Sequence, residues 1–506
     1  MEFPVYQPFS SDWLTFVLFC FSLFIVMGLA ELLRSRLGWT PETARKLVHV
    51  LVGVLIFWAR FLFVSPYPAA LLGILFTIIL FVALLRGGFP GMHATNRASL
   101  GTVFYPLAFV ILVLVYWHRD PAILLISFSI LAFGDPLAAQ MGESVSHPKL
   151  FRVWRDKKSL QGSLALGMFA TLFSIGGLII LRSVAGLSIP GIGVLIVTGL
   201  SVGLVGAIAE GISRNGSDNL SLPLATALML DICLHSEPIT SLILLIWFIV
   251  AIPLTFVALR TQILTLSGAL TALLLGTFII GIGGVKWLIP LITFFLLSSL
   301  LSKAGGSKKQ TVETLYEKGS NRDMMQVLAN GGVAGLLTIL WHYFPIDVLY
   351  YAYLGSLAAA TADTWGTEIG VFSRQPPRSI LTFQQVPVGT SGGVTLFGTA
   401  GALVGAVVLT LSGWIGYANG GELFFRAAGF GIISLAGLFG ALFDSLLGAT
   451  VQGRFLCPEC GRITEKPVHC GIPLTELSTG IHWVNNDLVN LACTTSAAIL
   501  VLILLS

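Results

Sequence analysis

The chain has 506 residues, of which 55% are apolar and only 10% charged, with a mean hydropathy of +0.90 and a net charge of +4. This composition excludes an ordinary soluble protein, in which about a quarter of the residues are charged, because lipid is needed as the main solvent. The small net charge gives no reason to expect a nucleic-acid partner. We therefore expect an all-α fold, a polytopic bundle of transmembrane helices.

Apolar runs of about 17–25 residues, long enough to cross a bilayer as a helix, recur along the chain. The first run, 13–33, has the length of a span, so we expect no cleaved signal peptide there. Hydropathy predicts sixteen spans, of which the eighth is short, although fourteen or fifteen also fit. The predicted spans are 13–33, 47–64, 69–85, 101–117, 121–141, 160–181, 190–212, 222–235, 240–259, 261–282, 285–301, 324–342, 347–370, 391–413, 424–450 and 484–505.

Loops rich in Lys and Arg supply the expected orientation. With sixteen spans and the N-terminus outside, all of these loops fall on one side of the membrane. The positive-inside rule makes that side cytoplasmic. The basic loops are 34–46, 86–97, 149–158, 303–322, 374–378 and 454–466.

Two short segments indicate an internal repeat. Asp135 and Asp363 each precede a glycine by seven residues, and Ser163 and Ser391 follow these aspartates at equal distances. Eight spans per copy is an even number, so the two copies would run parallel. We expect two related halves, 1–238 and 239–506, the second with a cysteine-containing loop over 451–483.

Each half carries acids and a glycine- and serine-containing loop in the same order. Ionisable residues at membrane spans are costly and usually functional. The first half offers Asp135, Lys158, Ser159, Gly162, Ser163, Glu210, Asp218 and Asn219. The second half offers Asp363, Glu368, Gly389, Thr390, Ser391, Gly392, Asp444, Asn486 and Asp487.

These residue types suit phosphoryl or nucleotidyl transfer. Carboxylate and amide oxygens bind magnesium, glycine-rich turns expose N–H groups to phosphate, and lysine adds positive charge. A structural explanation stays open for single residues, since Asp135 or Asp363 could pair only with neighbouring spans, and 45–49 could be a positive-inside anchor. The expected magnesium ligands are Asp135, Glu210, Asp218, Asp363, Asp444 and Asp487.

The first half resembles the polyprenol kinase family, which includes dolichol kinase and the plastid and cyanobacterial phytol kinases. The resemblance covers about residues 15–235 and implies transfer of phosphate from CTP to a long isoprenoid alcohol, with magnesium as cofactor. It also implies that Lys158 with the Gly162 loop contacts the triphosphate, and that Arg45 and His49 assist at the phosphate or as a base. The matching residues are Arg45-Lys46-x-x-His49, Gly134-Asp135-Pro136 to Gly142-Glu143, Lys158-Ser159, Gly162-Ser163, Glu210, Asp218-Asn219 and Pro223.

The second half is similar to the phytyl-phosphate kinase group over about residues 245–505. The similarity implies addition of a second phosphate to phytyl phosphate, giving the diphosphate used for tocopherol and prenylquinones. Asp363, Glu368, Asp444 and Asp487 would form its carboxylate set. The matching residues are Ser302-Lys303, Arg322-Asp323, Gln326, Asn330-Gly331-Gly332, Ala362 to Gly370, Pro387 to Gly393, Phe443 to Ala449 and Asn486 to Asn490.

Together the two resemblances predict a fused, bifunctional membrane kinase in a cyanobacterial or plastid membrane, with both sites facing the cytoplasm or stroma. The second half lacks an Arg-Lys-x-x-His segment and a counterpart of Lys158, so Lys303, Lys308, Lys309 and Arg322 are expected to bind phosphate there. A cytidylyltransferase of the CDP-diacylglycerol type and a secondary transporter are the alternatives. The preferred alcohol, CTP against UTP, channelling and oligomeric state stay open.

The loop 451–483 contains Cys457-Pro-Glu-Cys460 and then His469-Cys470. These ligand types and spacings are typical of a zinc knuckle, and thiols on the cytoplasmic side are reduced. Because His469 and Cys470 are adjacent, we do not expect both to bind easily, and His482 is considered as a fourth ligand. Structural zinc, free thiols and a disulfide all remain open.

Overall fold

A computed structural model describes residues 3–6, 9, 11–86, 100–153, 157–237, 239–303, 321–416, 427–461, 463–465, 468–474 and 476–505. Over these residues the chain is mostly helical, with short strands only in the loops between helices. Eleven of the described helices are long and apolar enough to cross a membrane by length and composition. The expected class, a polytopic all-α membrane protein, is confirmed.

Two compact units divide the chain, unit 1 over Met1–Leu245 and unit 2 over Ile246–Ser506. The division lies inside the helix α10 (Ile239–Arg260), a few residues beyond the boundary expected from the sequence. The described helices of unit 1 before it are α1 (Asp12–Leu37), α2 (Pro41–Leu62), α3 (Pro66–Arg86), α4 (Gly101–Tyr116), α5 (Pro121–Ser129), α6 (Asp135–Ser144), α7 (Leu160–Val184), α8 (Ile192–Ile212) and α9 (Asp218–His235).

A π-helical turn, Ile130–Gly134, joins α5 to α6, and an antiparallel hairpin of β1 (Leu150–Arg152) and β2 (Lys157–Ser159) precedes α7. Within unit 1, α7 packs along α8, α8 along α9, and α3 along α4. Pro136, the second residue of α6, has no N–H to donate, which favours an irregular turn just before it.

Buried ion pairs hold the C-terminal ends of α7 and α9. Asp231 is fully buried and accepts from Arg119 Nε at 2.9 Å, with His235 Nδ1 at 2.7 Å from the same oxygen. Arg182 at the end of α7 pairs with the buried Asp120, whose carboxylate also caps α5. Buried carboxylates need such partners, because an unpaired charge in an apolar medium is strongly destabilising.

Unit 2 continues with α11 (Leu266–Lys303), α12 (Met324–Tyr343), α13 (Asp347–Gly370), α14 (Leu396–Gly416), α15 (Ala427–Thr450) and α16 (Asn486–Leu505). The pair β3 (Arg378–Ser379) and β4 (Gly393–Val394) joins before α14. Between α15 and α16 lie β5 (Arg454–Leu456), β6 (Ile463–Thr464), β7 (Val468–His469), β8 (Ile472–Pro473) and β9 (Leu477–Thr479). Strands β6, β5 and β9 form one sheet, in that order, and β7 pairs with β8.

Each of the sixteen predicted spans overlaps a described helix. Segments 261–282 and 285–301 are joined in α11, where Gly284 with a φ of 66° interrupts the helical backbone. The short eighth segment is part of α9, which begins four residues earlier at Asp218. The eleven count α5 and α6 together as Pro121–Ser144, and the shorter apolar helix α4 stands outside them. Helices α2, α9 and α13 are also not among the eleven apolar helices. They carry the charged residues that lower mean hydropathy and, as shown below, contribute to the sites.

Small residues let the helices of unit 2 approach closely around α13, whose segment 350–362 is buried throughout. Ala358, Ala359 and Ala360 are fully buried in this core. A Cβ added at Gly440 on α15 would lie 2.6 Å from Ala359 Cβ and 2.9 Å from the Cys493 carbonyl oxygen. Lipid tails are as apolar as the side chains, so the hydrophobic effect does not drive helices together within a bilayer. Close van der Waals packing therefore stabilises the contact between these helices.

Replacing Gly440 by alanine should therefore destabilise unit 2 by about 1–3 kcal/mol, because the added methyl group overpacks the contact. Gly431 on the same helix has no atom within 4 Å of an added Cβ, so Gly431→Ala is the matched control. The control should be neutral or stabilising by up to about 1 kcal/mol. Denaturant titration of both variants in detergent measures the difference, and equal stabilities would contradict the packing.

Candidate functional site

The first site lies where β2, α7, α8 and α9 meet in unit 1. The Lys158 ammonium forms ion pairs with Glu210, in the last turn of α8, and with Asp218, the first residue of α9, the latter at 3.3 Å. Ser163 Oγ donates to Glu210 Oε2 at 3.1 Å. Burial acts to lower the pKa of Lys158, but Asp218 and Glu210 outweigh it and hold this pKa above its usual range. Lys158 therefore stays charged and compensates the two carboxylates.

Asp135 joins this cluster from α6, directly after the π-helical turn. It lies within electrostatic range of Asp218, Lys158 and Glu210. Single π-helical turns inside α-helices frequently occur at functional sites. The structure thus brings together all three carboxylates that the sequence predicts as magnesium ligands in the first half. Three carboxylate groups face two cations here, Lys158 and Arg45, so the acids outnumber the bases by one. An oxygen donor set of this kind suits a divalent cation.

Ser159 and Gly162 have structural roles beside the cluster. The Ser159 hydroxyl caps α7 by accepting from the Gly162 N–H at 3.1 Å. A Cβ on Gly162 would lie 2.8 Å from the Ala138 carbonyl oxygen, so glycine allows α6 and α7 to touch. Their predicted contact with phosphate stays a prediction.

An apolar cavity of about 90 Å³ opens beside the first site. Along α2 its lining runs from Arg45 and His49 to Val52 and Ile56, so it changes from polar to apolar over roughly 16 Å of helix. Asn219, next to Asp218, also lines the polar end. The remaining walls are mostly apolar side chains, including Leu23, Met27, Leu72, Phe76, Leu80 and Phe109.

His49 is held in one orientation at the polar end of this cavity. Its Nε2 lies 3.0 Å from the Leu131 carbonyl oxygen in the π-helical turn. A carbonyl only accepts, so Nε2 carries the hydrogen and Nδ1 of the neutral ring is the acceptor. Tyr105 packs its ring against His49 and donates its hydroxyl to the His49 carbonyl oxygen at 2.8 Å. Both Arg45 and Asp218 lie within electrostatic range of this imidazole.

The second site is a larger, polar cavity of about 370 Å³ in unit 2. Asp363 and Glu368 reach it from α13, and Asp444 reaches it from α15. The carboxylates of Asp363 and Asp444 interact electrostatically, and Asp444 Oδ2 is buried with no hydrogen-bond partner among the described residues. An unsatisfied buried carboxylate oxygen is costly, and a bound cation would remove that cost. The donor set of the second site therefore fits magnesium.

A glycine-containing loop forms one wall of the second cavity. Gly389 and Gly392 adopt the left-handed backbone, with φ of 87° and 76°. A Cβ on Gly392 would lie 2.7 Å from the Ser445 carbonyl oxygen, so only glycine fits there. Ser391 Oγ lies 2.7 Å from Glu465 Oε1 and 3.2 Å from Gln452 Oε1. The residues that the sequence singles out for this half and that line the cavity include Arg322, Asn330, Gly389, Thr390, Ser391, Gly392 and Asn486.

Two residues predicted for the second site do not line the cavity. The Lys303 ammonium donates instead to the Thr261 carbonyl oxygen at 2.9 Å. Asp487 is buried, while its neighbour Asn486 lines the cavity. Arg322 does line it, and burial lowers the pKa of this guanidinium while Glu368 opposes the shift. The predicted phosphate ligands Lys308 and Lys309 lie outside the described residues.

Glu465, Gln452 and Tyr105 were missed by sequence reasoning. Glu465 and Gln452 line the second cavity although they come from the loop 451–483 and its border with α15. Burial raises the pKa of Glu465, and the hydrogen bond from Ser391 opposes this shift. Nothing in the local sequence marks Glu465 and Gln452, since their position depends on how the loop folds back over the glycine-containing wall.

The predicted zinc ligands come together in the same loop. Ligand atoms of Cys457, Cys460, His469 and Cys470 all lie within 4.8 Å of one another. Adjacent His469 and Cys470, which were not expected to bind a metal together easily, both have a ligand atom in this cluster. His482 packs its ring against Phe455, with the centroids 5.4 Å apart.

Residues 249–498, almost all of unit 2, match the family described as integral membrane protein DUF92. Protein PGR of Arabidopsis thaliana is 32% identical over 256 residues, covering 47% of this chain and 87% of its own. The uncharacterized membrane protein MJ0933 of Methanocaldococcus jannaschii is 33% identical over 195 residues, with shares of 38% and 77%. The chain belongs to the DUF92 family of integral membrane proteins.

This DUF92 protein is also similar to the phytol kinase of Synechocystis sp., at 30% identity over 219 residues. That match covers 43% of the present chain and 90% of the phytol kinase. No solved structure matches the chain.

Removing the Lys158 charge should destabilise the protein strongly. Lys158→Ala leaves two largely buried carboxylates without compensation, which should lower the free energy of unfolding by about 3 kcal/mol. Lys46→Ala is the control, because its pair with Glu143 is at the surface, 3.0 Å long, and worth about 0–1 kcal/mol. Denaturant titration in detergent compares the two, and a similar loss in both would show that the Lys158 cluster is not a stabilising centre.

Proposed function

We propose that this DUF92 protein is a membrane-bound kinase that phosphorylates an isoprenoid alcohol twice, at two separate sites. Unit 1 transfers a phosphoryl group from CTP to phytol or a similar prenyl alcohol. Unit 2 phosphorylates the resulting monophosphate to the diphosphate, a precursor for tocopherol and prenylquinones. The observation that carries the proposal is the apolar cavity of unit 1, whose polar end is lined by Arg45 and His49. The His49 imidazole there lies within electrostatic range of Asp218, a member of the carboxylate cluster.

The relatives support this proposal in two ways. One of them is a phytol kinase, a protein whose name states both the reaction and the class of alcohol. Each of the three relatives matches less than half of this chain but at least three quarters of its own length. Such lengths are expected if each unit corresponds to one complete enzyme. We place both sites at the cytoplasmic or stromal face of a cyanobacterial or plastid membrane, following the basic loops.

The cavity of unit 1 suits an amphipathic alcohol. The chain lies among the apolar walls, and the hydroxyl lies at the polar end beside Arg45, His49 and Asn219. In the reaction, the alcohol oxygen forms a bond to the γ-phosphorus of CTP. The bond from that phosphorus to its bridging oxygen breaks, and CDP leaves with the electron pair. His49 Nδ1, the acceptor nitrogen, takes the alcohol proton.

Charge neutralisation is the other task of the first site, because phosphoryl transfer depends mainly on positioning and electrostatics. Asp135, Glu210 and Asp218 would hold magnesium, which supplies positive charge against the phosphates when bound. Lys158 then exchanges part of its contact with Glu210 and Asp218 for a phosphate oxygen. Arg45 adds a second cation close to the polar end of the cavity.

The second reaction needs different residues. A phosphate monoester is already ionised at neutral pH, so its oxygen attacks without transfer of a proton to a base. Consistent with this, no histidine is among the described residues that line the second cavity. Asp363 and Asp444 would hold magnesium, the N–H groups around Gly389 and Gly392 would face phosphate, and Arg322 would add charge. The larger polar cavity suits two phosphorylated substrates.

Single carboxylate variants should separate the two steps. With purified full-length protein, CTP and either phytol or phytyl phosphate, Asp135→Asn should lose the first step by about 100-fold or more and keep the second. Asp363→Asn should do the reverse. Asp347→Asn, at the other end of the same helix as Asp363, is the matched control and should keep both steps. Product masses and CDP release are the measurements.

Several outcomes of this experiment would contradict the proposal. Loss of both steps in either single variant would mean that the two clusters form one shared site. Release of pyrophosphate instead of CDP would indicate a cytidylyltransferase of the CDP-diacylglycerol type. Ion-driven substrate transport without nucleotide turnover would indicate a secondary transporter.

Filling the apolar cavity should change chain-length preference. Leu72 is 3% exposed and lines the cavity, whereas its neighbour Leu71 is 42% exposed and does not. Leu72→Trp should raise the KM for phytol about tenfold or more while affecting a short prenyl alcohol much less, because the indole occupies the space of the distal chain. Leu71→Trp should leave both unchanged. Equal effects on long and short alcohols would show that the cavity does not bind the chain.

A further inference from the structure

The loop 451–483, called here the cysteine loop, folds into a small β-rich segment between α15 and α16. Its described apolar core consists of Phe455, Cys457 and Leu474, with Ile472 packed against them. Chains below about 40 residues usually need disulfides, metals or association to hold a fold, because they bury too little apolar surface. None of the cysteines of this loop forms a disulfide in the structure. A bound metal ion would supply such stabilisation.

Four side chains in the cysteine loop have the geometry of a metal centre. His469 Nδ1 lies 3.6 Å from Cys460 Sγ and 3.3 Å from Cys470 Sγ. All four ligand atoms, including Cys457 Sγ, are within 4.8 Å of one another. In a zinc tetrahedron with bonds of about 2.3 Å to sulfur and 2.0 Å to nitrogen, the edges are about 3.8 Å and 3.5 Å long. The observed separations are close to these edges.

Two tight turns present the ligands. The Gly461 N–H donates to the Cys457 carbonyl oxygen at 2.9 Å, which closes the turn that carries Cys457 and Cys460. Cys470 and Gly471 form the two-residue turn between β7 and β8, with φ of 51° and 80°. Positive φ at both positions is the pattern of a type I′ hairpin turn.

This second turn explains how adjacent residues both reach the cluster. In a regular strand the side chains of His469 and Cys470 would point to opposite faces. The left-handed backbone at Cys470 instead turns its side chain back towards His469. A non-glycine residue with positive φ is uncommon and costs free energy, so the surrounding structure must hold it.

We propose that Cys457, Cys460, His469 and Cys470 bind one structural zinc ion, which holds the cysteine loop against the glycine-containing wall of the second site. Three thiolates and one imidazole in a closed tetrahedral set are typical of structural zinc, since softer sulfur ligands favour zinc over magnesium or calcium. A closed set of four protein ligands leaves no position for a substrate. The ion therefore acts on folding and not on chemistry.

The cysteine loop reaches the second site through Glu465. This residue follows β6 and lies between the two ligand turns in the chain. Its Oε1 is 2.7 Å from Ser391 Oγ, and its side chain lines the second cavity. Loss of zinc should release the two turns and with them the Glu465–Ser391 contact. This inference rests on the geometry of the loop and stands whether or not the second cavity is a kinase site.

The first test is the metal content of the full-length protein purified in detergent. Mass spectrometry of the metals should find about one zinc per chain in the wild type, and at least tenfold less in Cys460→Ser and His469→Ala. His482→Ala and Cys20→Ser are matched controls that should keep zinc, because neither residue belongs to the cluster. Background zinc in the wild type, or zinc loss in His482→Ala with retention in His469→Ala, would overturn the proposed site.

A second test uses the wild type alone and so does not depend on variants that fold. Cys460 and Cys470 are exposed, yet bound zinc should make both slow to alkylate until a strong chelator is added. Fast alkylation before chelation would overturn the proposal, as would a disulfide found by mass spectrometry. Hydrogen exchange at 388–393 should rise about tenfold or more after chelation. Unchanged exchange there would show that zinc does not hold the wall of the second site.

Discussion

The first site depends on the ion pairs that Lys158 forms with Glu210 and Asp218. They bring β2, the end of α8 and the start of α9 to one point. Asp218 is favourably placed at a helix N-terminus, but Glu210 lies at a helix C-terminus, where the helix dipole disfavours negative charge. Burial adds to that cost, so Glu210 depends on Lys158. With Asp135 added, negative charge remains in excess, and this is the property that makes the cluster suitable for a divalent cation and phosphates.

The second site also has buried carboxylates close together, but their surroundings differ from those of the first site. Asp363 and Asp444 interact with each other, and Asp444 Oδ2 has no hydrogen-bond partner among the described residues. The surrounding cavity is larger and more polar than the cavity of unit 1, and its glycine-containing wall is in contact with a loop that carries its own cluster of metal-type ligands. In the proposed sequence of reactions these differences correspond to the substrates. An apolar alcohol needs an apolar cavity and a base, whereas an ionised monophosphate needs charge neutralisation and space.

Much of the fold followed from hydropathy, because each helix that contacts lipid must satisfy its backbone hydrogen bonds internally and be about one bilayer long. All sixteen predicted segments overlap helices, and the sequence order of acids and glycines placed Asp135, Glu210 and Asp218 correctly in one cluster. Other positions could not be predicted from the sequence. Lys303 donates to the Thr261 carbonyl oxygen and is not among the residues that line the cavity, and Glu465 reaches the second site from a loop, because long-range contacts determine both positions.

Composition and hydropathy determined the fold class, the helices and the residue types available for chemistry. Burial in lipid makes charged residues costly, so those that occur in membrane spans are usually functional. Only the tertiary structure decided which of these charges meet. It showed the cavity beside Arg45 and His49, to which five helices contribute, and the unsatisfied oxygen of Asp444. It also showed that a turn with positive φ at Cys470 brings two adjacent ligands to one cluster. Such contacts depend on the local backbone conformation and on side chains that are distant in the chain. The spacing of residues in the sequence predicts neither of these.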